Sequence, residues 1–375
     1  MNALRFCALP LAALCFTPAL HAQALDVELL DSVKQAIQAE MEAQGMVGLT
    51  AAIGLDGDLV WTEGFGFADL EDEVLAAPET VYRLASISKP VTAIAVMQLV
   101  ETGKIDLDAT VRTYVPEWSE KEWPITIRQL LCHQGGVRHY APQDNRDNTK
   151  AYPTATESLE YFADDPLVAE PGTRYSYTTF GYNLLGAVVE GASGRSFVEY
   201  LGERVFPRAD TEAMQDDSQS RIIKHRAQGY RRVGGQRGQR RGGQRARGEL
   251  RNSRLVDVSY KLGGGGLSST ASDLVRFIQS VESGRVVTAE TRDAMWTRQT
   301  TRDGEETSYG LGFQISELEG RRTVGHSGSQ RRVQTQLILL PDQGVAVSVM
   351  CNTEGTNPGL IARRLATMVA DALER

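Results

Sequence analysis

Ser86-Ile87-Ser88-Lys89 sets a hydroxyl three residues before an amine, and on a helix that spacing puts both on one face. A serine hydroxyl is a poor nucleophile until a base takes its proton. A lysine serves as that base when burial lowers its pKa, because desolvation disfavours the ammonium. A helix beginning here adds backbone N–H groups and the positive end of a dipole, both suited to a developing oxyanion. S-x-x-K alone arises about once by chance in a chain this long, so its surroundings decide. Tyr177 follows Pro171-Gly172 inside Tyr175-Ser176-Tyr177-Thr178-Thr179, where a second apolar helix begins. Near cationic neighbours its phenol serves as a phenolate or passes a proton between Ser86 and a leaving group, against the plainer reading of a core tyrosine. His326-Ser327-Gly328 opens a predicted strand. A small residue there lets substrate backbone lie along a strand edge, with the following N–H aimed at a carbonyl oxygen.

Elements must hold these residues together. Apolar residues at helical spacing predict a helix over 26–44, and residues 48–68 read as two strands around Asp56-Gly57-Asp58. Residues 90–102 are apolar nearly all round, as befits a core helix stopped by Gly103. Thr126 and Gln129 form a capping box for a helix through Leu131. Further helices are predicted over 179–189 and, amphipathic, over 270–281. Strands are predicted over 309–315, 322–325, 334–340 and 345–351, then a helix over 358–373. Strands near both ends and helices between them predict an α/β (α+β) fold, an antiparallel sheet of N- and C-terminal strands flanked by helices. The sheet-containing part is 25–80 plus 260–375, and a mostly helical part, 81–259, is inserted.

Residues 1–24 have a basic start at Arg5, an apolar run over 6–20 and a small-residue site at Ala22-Gln23-Ala24, the pattern of a secretory signal peptide. The run falls short of the roughly 20 residues that span a bilayer. With one Arg and no Ser, the segment does not fit a mitochondrial transit peptide. The expectation is a single catalytic domain over 25–375, periplasmic or secreted, with no membrane span after signal removal. Cys132 and Cys351 are then the remaining cysteines, enough for one bridge but not for a disulfide scaffold or a Cys-rich zinc site.

Hydrophobic residues make up 41% and charged residues 23%, ordinary for a soluble globular protein, and the net charge is −8. Residues 226–254 depart from that balance, with ten arginines against one acid, Glu249. An anion- or nucleic-acid-binding arm is one reading. For an exported protein the preferred reading is a flexible basic surface loop attracted to the acidic body. No nucleic acid is expected, and the partner is a small-molecule or peptide substrate.

Ser86-x-x-Lys89, Tyr177-Thr178-Thr179 and His326-Ser327-Gly328, in this order and spacing, resemble the serine β-lactamase and penicillin-binding-protein superfamily. The likeness is to its class C-like group of β-lactamases, esterases and DD-peptidases, and within it to proteins like the mitochondrial serine β-lactamase-like protein. Tyr82-Arg83-Leu84-Ala85, Leu130-Leu131-Cys132-His133, Gly136-Val137-Arg138-His139-Tyr140 and the run from Gly263 to Leu267 also fit. The resemblance implies that Ser86 is acylated, that Lys89 and Tyr177 share general-base and general-acid work as a coupled pair, and that the N–H groups of Ser86 and Ser329 form the oxyanion hole. Thr179, His326, Ser327 and Gly328 would contact substrate, and no cofactor or metal is implied.

The departures from that family bear on substrate. Thr179 stands where β-lactamases usually have Asn to hold the drug's amide. His326 replaces a Lys, so a permanent cation for a β-lactam carboxylate is absent. Ser329-Gln330-Arg331-Arg332 is bulkier than the usual Gly-rich run, and its arginines read as a solvated strand edge rather than an anion site. These changes favour a peptidase (a D-Ala-type carboxypeptidase or aminopeptidase-like) or an esterase over a class C β-lactamase. The remaining alternative is a non-catalytic cell-wall-binding or structural member of the fold, which has no chemical reason to hold Ser86, Lys89 and Tyr177 together. Gly325-His326-Ser327-Gly328-Ser329 is not a nucleophile elbow, since no His follows position 326. His133, His139, His225 and His326 form no metal motif, and His133 and His139 are expected to cap or pack a helix–loop junction.

Overall fold

The computed structural model describes residues 25–141, 144, 148–234, 240–241, 244–245 and 248–375. The helices used below are α1 (Val27–Gln44), α2 (Ser88–Glu101), α3 (Ile127–Leu131), α4 (Thr179–Ser193), α5 (Ala271–Glu282) and α6 (Pro358–Leu373). The strands are β1 (Gly48–Leu55), β2 (Asp58–Asp69), β3 (Val74–Leu75), β4 (Gln314–Leu318), β5 (Arg321–Gln330), β6 (Val333–Leu340) and β7 (Val345–Cys351). They form one sheet in the order β4-β5-β6-β7-β1-β2-β3, antiparallel at every pairing. The two ends of the chain meet where β1 pairs with β7, with Leu49 opposite Cys351 and Leu55 opposite Val345.

Every residue of β1 is buried, so both faces of the sheet are covered. Leu49, Ala51 and Ile53 pack with Val33 and Ile37 of α1 and with Ile361, Leu365 and Val369 of α6. Ala52 faces the other core, which holds Leu274, Val275, Phe277 and Ile278 of α5. Helix α5 comes so close that a Cβ on Gly54 would lie 2.6 Å from Val275 Cγ1. Asp56 and Gly57 both take positive φ, 46° and 95°, as a tight hairpin between β1 and β2 requires.

Two of the C-terminal strands differ from their predicted bounds. The strand predicted over 309–315 starts only at Gln314, because Gly310 and Gly312 break the run. Gly312 has φ 99°, and a Cβ on Gly310 would sit 2.0 Å from Met295 O. Tyr309, Leu311 and Phe313 are buried in an irregular segment instead. The strand predicted over 322–325 extends to Gln330, through polar residues whose pairing with β6 no hydrophobic pattern reveals.

The basic segment also departs from a loop at its ends. Tyr230–Val233 and Glu249–Asn252 pair as two antiparallel strands. They are tied to the body by buried Tyr230, whose N–H donates to Asn352 O at 2.8 Å. Residues 235–239, 242–243 and 246–247 of that segment lie outside the described residues, as does the segment read as a signal. No helix among the described residues is long and apolar enough to cross a membrane.

Candidate active site

Helix α2 is apolar on all sides and buried from Ser88 to Leu99, so its start is fixed deep between the sheet and the helical part. Pro90 stands in its first turn, where a missing N–H costs no intrahelical bond. A short 3₁₀ turn, Ala85–Ile87, leads into it, and Ser86 lies at its centre. Two contacts hold this turn against the sheet. Thr335 Oγ1 of β6 donates to Leu84 O at 3.0 Å. Gly328 of β5 lies so near that a Cβ would be 2.5 Å from Leu84 O and 3.0 Å from Ala85 Cβ. The small residue of the third motif therefore makes room for the turn carrying Ser86. Ala85 has φ 51°, a left-handed conformation that costs a non-glycine residue roughly 1–2 kcal/mol. Such strain persists where surrounding packing imposes it.

Lys89 is fully buried. Its Nζ lies 3.1 Å from Ser86 Oγ and donates to Gly264 O at 2.7 Å, with Thr179 Oγ1 at 3.3 Å. Burial pushes the amine well below its usual pKa, and the charge of Lys261 adds to the effect. A neutral amine has two hydrogens and one lone pair. With the hydrogens directed to Gly264 O and Thr179 Oγ1, the lone pair is left for the Ser86 hydroxyl. Gly264 reaches Nζ because it lacks a side chain, since a Cβ there would lie 2.4 Å from Thr179 O.

Tyr177 hydrogen-bonds Ser86, and its ring centroid is 4.9 Å from Lys89 Nζ. Burial raises its hydroxyl well above the ordinary tyrosine value. Of the two states that its sequence setting allows, burial favours the neutral phenol over the phenolate. His133 and His139 position the segment that carries it. Thr178 N–H donates to His133 Nδ1 at 3.2 Å and Thr179 N–H to His139 Nδ1 at 3.1 Å, so both imidazoles cap the start of α4. His133 is buried among the rings of Tyr175, Tyr177, Tyr182 and Tyr309. Burial above all pushes its pKa well below the usual histidine value.

Ser86, Tyr177, Thr179, Ser327 and Ser329 line one cleft of about 340 Å³. Strand alternation sends Ser327 and Ser329 outward into it, whereas His326 and Gly328 turn inward. His326 is buried. Its Nδ1 donates to Ser327 O at 2.6 Å, which leaves Nε2 to accept from Tyr309 O–H at 2.9 Å. Burial and then the nearby Lys89 push its pKa down to about 3. Expected beside the substrate, His326 instead braces the strand from behind as a neutral ring. β4 pairs with β5 only as far as Gly325, so residues 326–330 are paired on the β6 side alone and border the cleft with an open edge. Arg332, read from sequence as part of a solvated edge, is largely buried beside Gln228 and Gly229, where burial lowers its pKa to about 10.

The cleft also contains residues that motif reading passed over, Lys261 and Gln314 among them. Lys261 had one available signal. It is a lone lysine two residues before the glycine run that starts at Gly263. Tyr309, the partner of His326, gave no signal beyond being apolar. Among the described residues no group of His, Cys, Asp and Glu could hold a metal ion.

A family model described as Beta-lactamase matches residues 33–372. The human mitochondrial serine beta-lactamase-like protein LACTB is 27% identical over 459 residues, covering 93% of this chain and 81% of that protein. A D-aminopeptidase from Brucella anthropi is 27% identical over 312 residues, 82% of this chain and 56% of that protein. Among solved structures, the octameric penicillin-binding protein homologue from Pyrococcus abyssi superposes with a TM-score of 0.76 at 27% identity, covering 92% of this chain and 78% of that one. With a family match that spans the sheet and the inserted helices alike, the chain belongs to the beta-lactamase family of serine hydrolases.

Proposed function

We propose that this chain is an exported peptidase, amidase or esterase that works through an acyl-enzyme on Ser86. The observation that carries the reading is the fully buried Lys89 Nζ, 3.1 Å from Ser86 Oγ at the floor of the cleft. Lys89, neutral at rest, takes the Ser86 proton as Oγ attacks the substrate carbonyl carbon. The carbonyl oxygen gains negative charge and is met by the N–H groups of Ser86 and Ser329. As the tetrahedral centre collapses, the Tyr177 hydroxyl gives its proton to the departing nitrogen or oxygen and regains one from the Lys89 ammonium. Water then enters, loses a proton to the same pair and releases the acid, leaving Ser86 as it began. Because Lys89 must be unprotonated at the start, activity should rise with pH through its lowered pKa and then level off.

The D-aminopeptidase relative supports a substrate with a D-amino-acid residue at the scissile bond. Thr179 and the inward-turned, neutral His326 remove two contacts for β-lactams, and this supports amides, peptides or esters over antibiotics. A fluorophosphonate or penicillin probe should label the wild type and leave Ser86→Ala unlabelled. Equal labelling of both, or of neither, defeats the assignment. Comparing nitrocefin, D-alanine amide, a D-Ala-D-Ala peptide and a p-nitrophenyl ester then ranks the substrate classes, with nitrocefin expected to be the slowest.

A further inference from the structure

Two side chains in the cleft take no part in the proton transfers at Ser86. Lys261 is 7% exposed, lines the same cleft as Ser86, and holds Nζ 5.4 Å from the ring centroids of both Tyr140 and Tyr260. Aromatic faces tolerate a cation there and leave it able to meet an anion. Gln330 lines the same cleft. Both of its polar atoms, Oε1 and Nε2, are buried and have no hydrogen-bond partner among the described residues. A buried amide left in that state costs about 1–3 kcal/mol, so an unpaired one facing a cleft points to a ligand.

The two groups converge beside the nucleophile. A Cβ on Gly265 would lie 3.6 Å from Lys261 Cδ, 3.6 Å from Gln330 Oε1 and 3.7 Å from Ala85 O, the carbonyl preceding Ser86. The bare glycine leaves room there, since even a methyl group would make only ordinary contacts with the two side chains and with the carbonyl before Ser86. We propose that Lys261 and Gln330 form a carboxylate subsite, so that the enzyme prefers amides and esters carrying a carboxylate close to the scissile bond. An ammonium and an amide N–H can each donate to one oxygen of such a group, which accepts at both. The inference rests on Ser86 being the acylated residue.

The carboxylate can sit on either side of the scissile bond, and paired esters separate the cases. p-Nitrophenyl hydrogen succinate against p-nitrophenyl butyrate places the charge on the acyl side. 4-Acetoxybenzoate against its methyl ester places it on the leaving side. For one pair, kcat/KM should favour the charged ester, after correction for uncatalysed reactivity, by roughly tenfold or more. Lys261→Met should erase that ratio mainly through KM, Lys261→Arg should keep most of it, and Gln330→Leu should lower it less. A ratio equal in the wild type and Lys261→Met for both pairs overturns the subsite. So does an equal loss on charged and neutral esters with a moved pH profile, which would make Lys261 a tuner of Lys89. If Lys261→Met does not fold, inhibition of the wild type decides, with phenylacetate expected to bind roughly tenfold more tightly than phenylacetamide. Equal inhibition defeats the subsite alone. Turnover persisting in Ser86→Ala defeats the acyl-enzyme reading while phenylacetate binding, read by calorimetry, still reports on the subsite.

Discussion

Lys89 shows how one residue sets function against stability. Hiding the Lys89 amine from water costs free energy, a cost that the proposed role as base would account for. Lys89→Met should therefore lose turnover and gain stability, on the order of 2 kcal/mol at neutral pH, seen as a higher urea midpoint. The sign follows from proton linkage. Below 10.5 the unfolded lysine binds a proton that the folded one does not, so the wild type loses stability as pH falls from there toward the lowered folded value. The gap between variant and wild type should widen as pH falls through that window and stay constant above it. His326 adds a second window. Its folded pKa of about 3 lies below 6.5, so stability should fall as pH drops from 6.5 toward 3, less steeply in His326→Asn. The juxtaposition of Ser86 and Lys89 could be read from spacing, because side chains three residues apart on helical backbone come to one side. The inward turn of His326 could not, because only the register of β5 on β6 decides which face a strand residue takes.

The turn before α2 is held by neighbours that contribute no chemistry of their own. Gly328→Ala would drive a Cβ to 2.2 Å from Thr335 Oγ1 and 2.5 Å from Leu84 O. It should cost about 1–3 kcal/mol and lower kcat more than it raises KM, because the turn carrying Ser86 must shift. On the strand leading into that turn, Arg83 Nε pairs with Asp217 at 2.6 Å, and Arg226 reaches the same carboxylate at 3.3 Å. Removing one partner of a buried pair costs about 3–5 kcal/mol. Asp217→Leu strands two arginines and should cost more than Arg83→Met, which leaves Asp217 with Arg226. Urea midpoints of the two variants check the order. At this scale the sequence was a good guide where one pattern dominated. The capping box at Thr126 and Gln129, the helix over 358–373 and the strand over 345–351 all occur as read. It failed over 309–313, where alternating apolar residues pack in an irregular segment because two glycines interrupt the strand.

Across the whole molecule, the sheet joins the ends of the chain and the inserted helices supply α2 and α4, so the site exists only when both parts are folded. That architecture was legible from strands at the ends and helices between. The pairing of β1 with β7 was not, since register is a long-range choice that local patterns do not encode. Cys132 and Cys351, compatible in sequence with one bridge, are free buried thiols. Burial raises the Cys132 thiol to about 12 and moves Cys351 the same way. A chain beginning at Leu25 should show no thiol reacting quickly with Ellman's reagent when native and two in urea, with a midpoint indifferent to reductant. One fast thiol in the native state, or none in urea, would contradict this placement.

The central claim is that Ser86 becomes acylated with Lys89 as its base. Its most direct measurement is intact mass, followed by peptide mapping, of the enzyme quenched during turnover of a slow ester or penicillin. The account requires a single acyl adduct on the peptide containing Ser86, absent from Ser86→Ala and formed far more slowly in Lys89→Met. An adduct on any other residue, or one that forms at the same rate without Lys89, would contradict it.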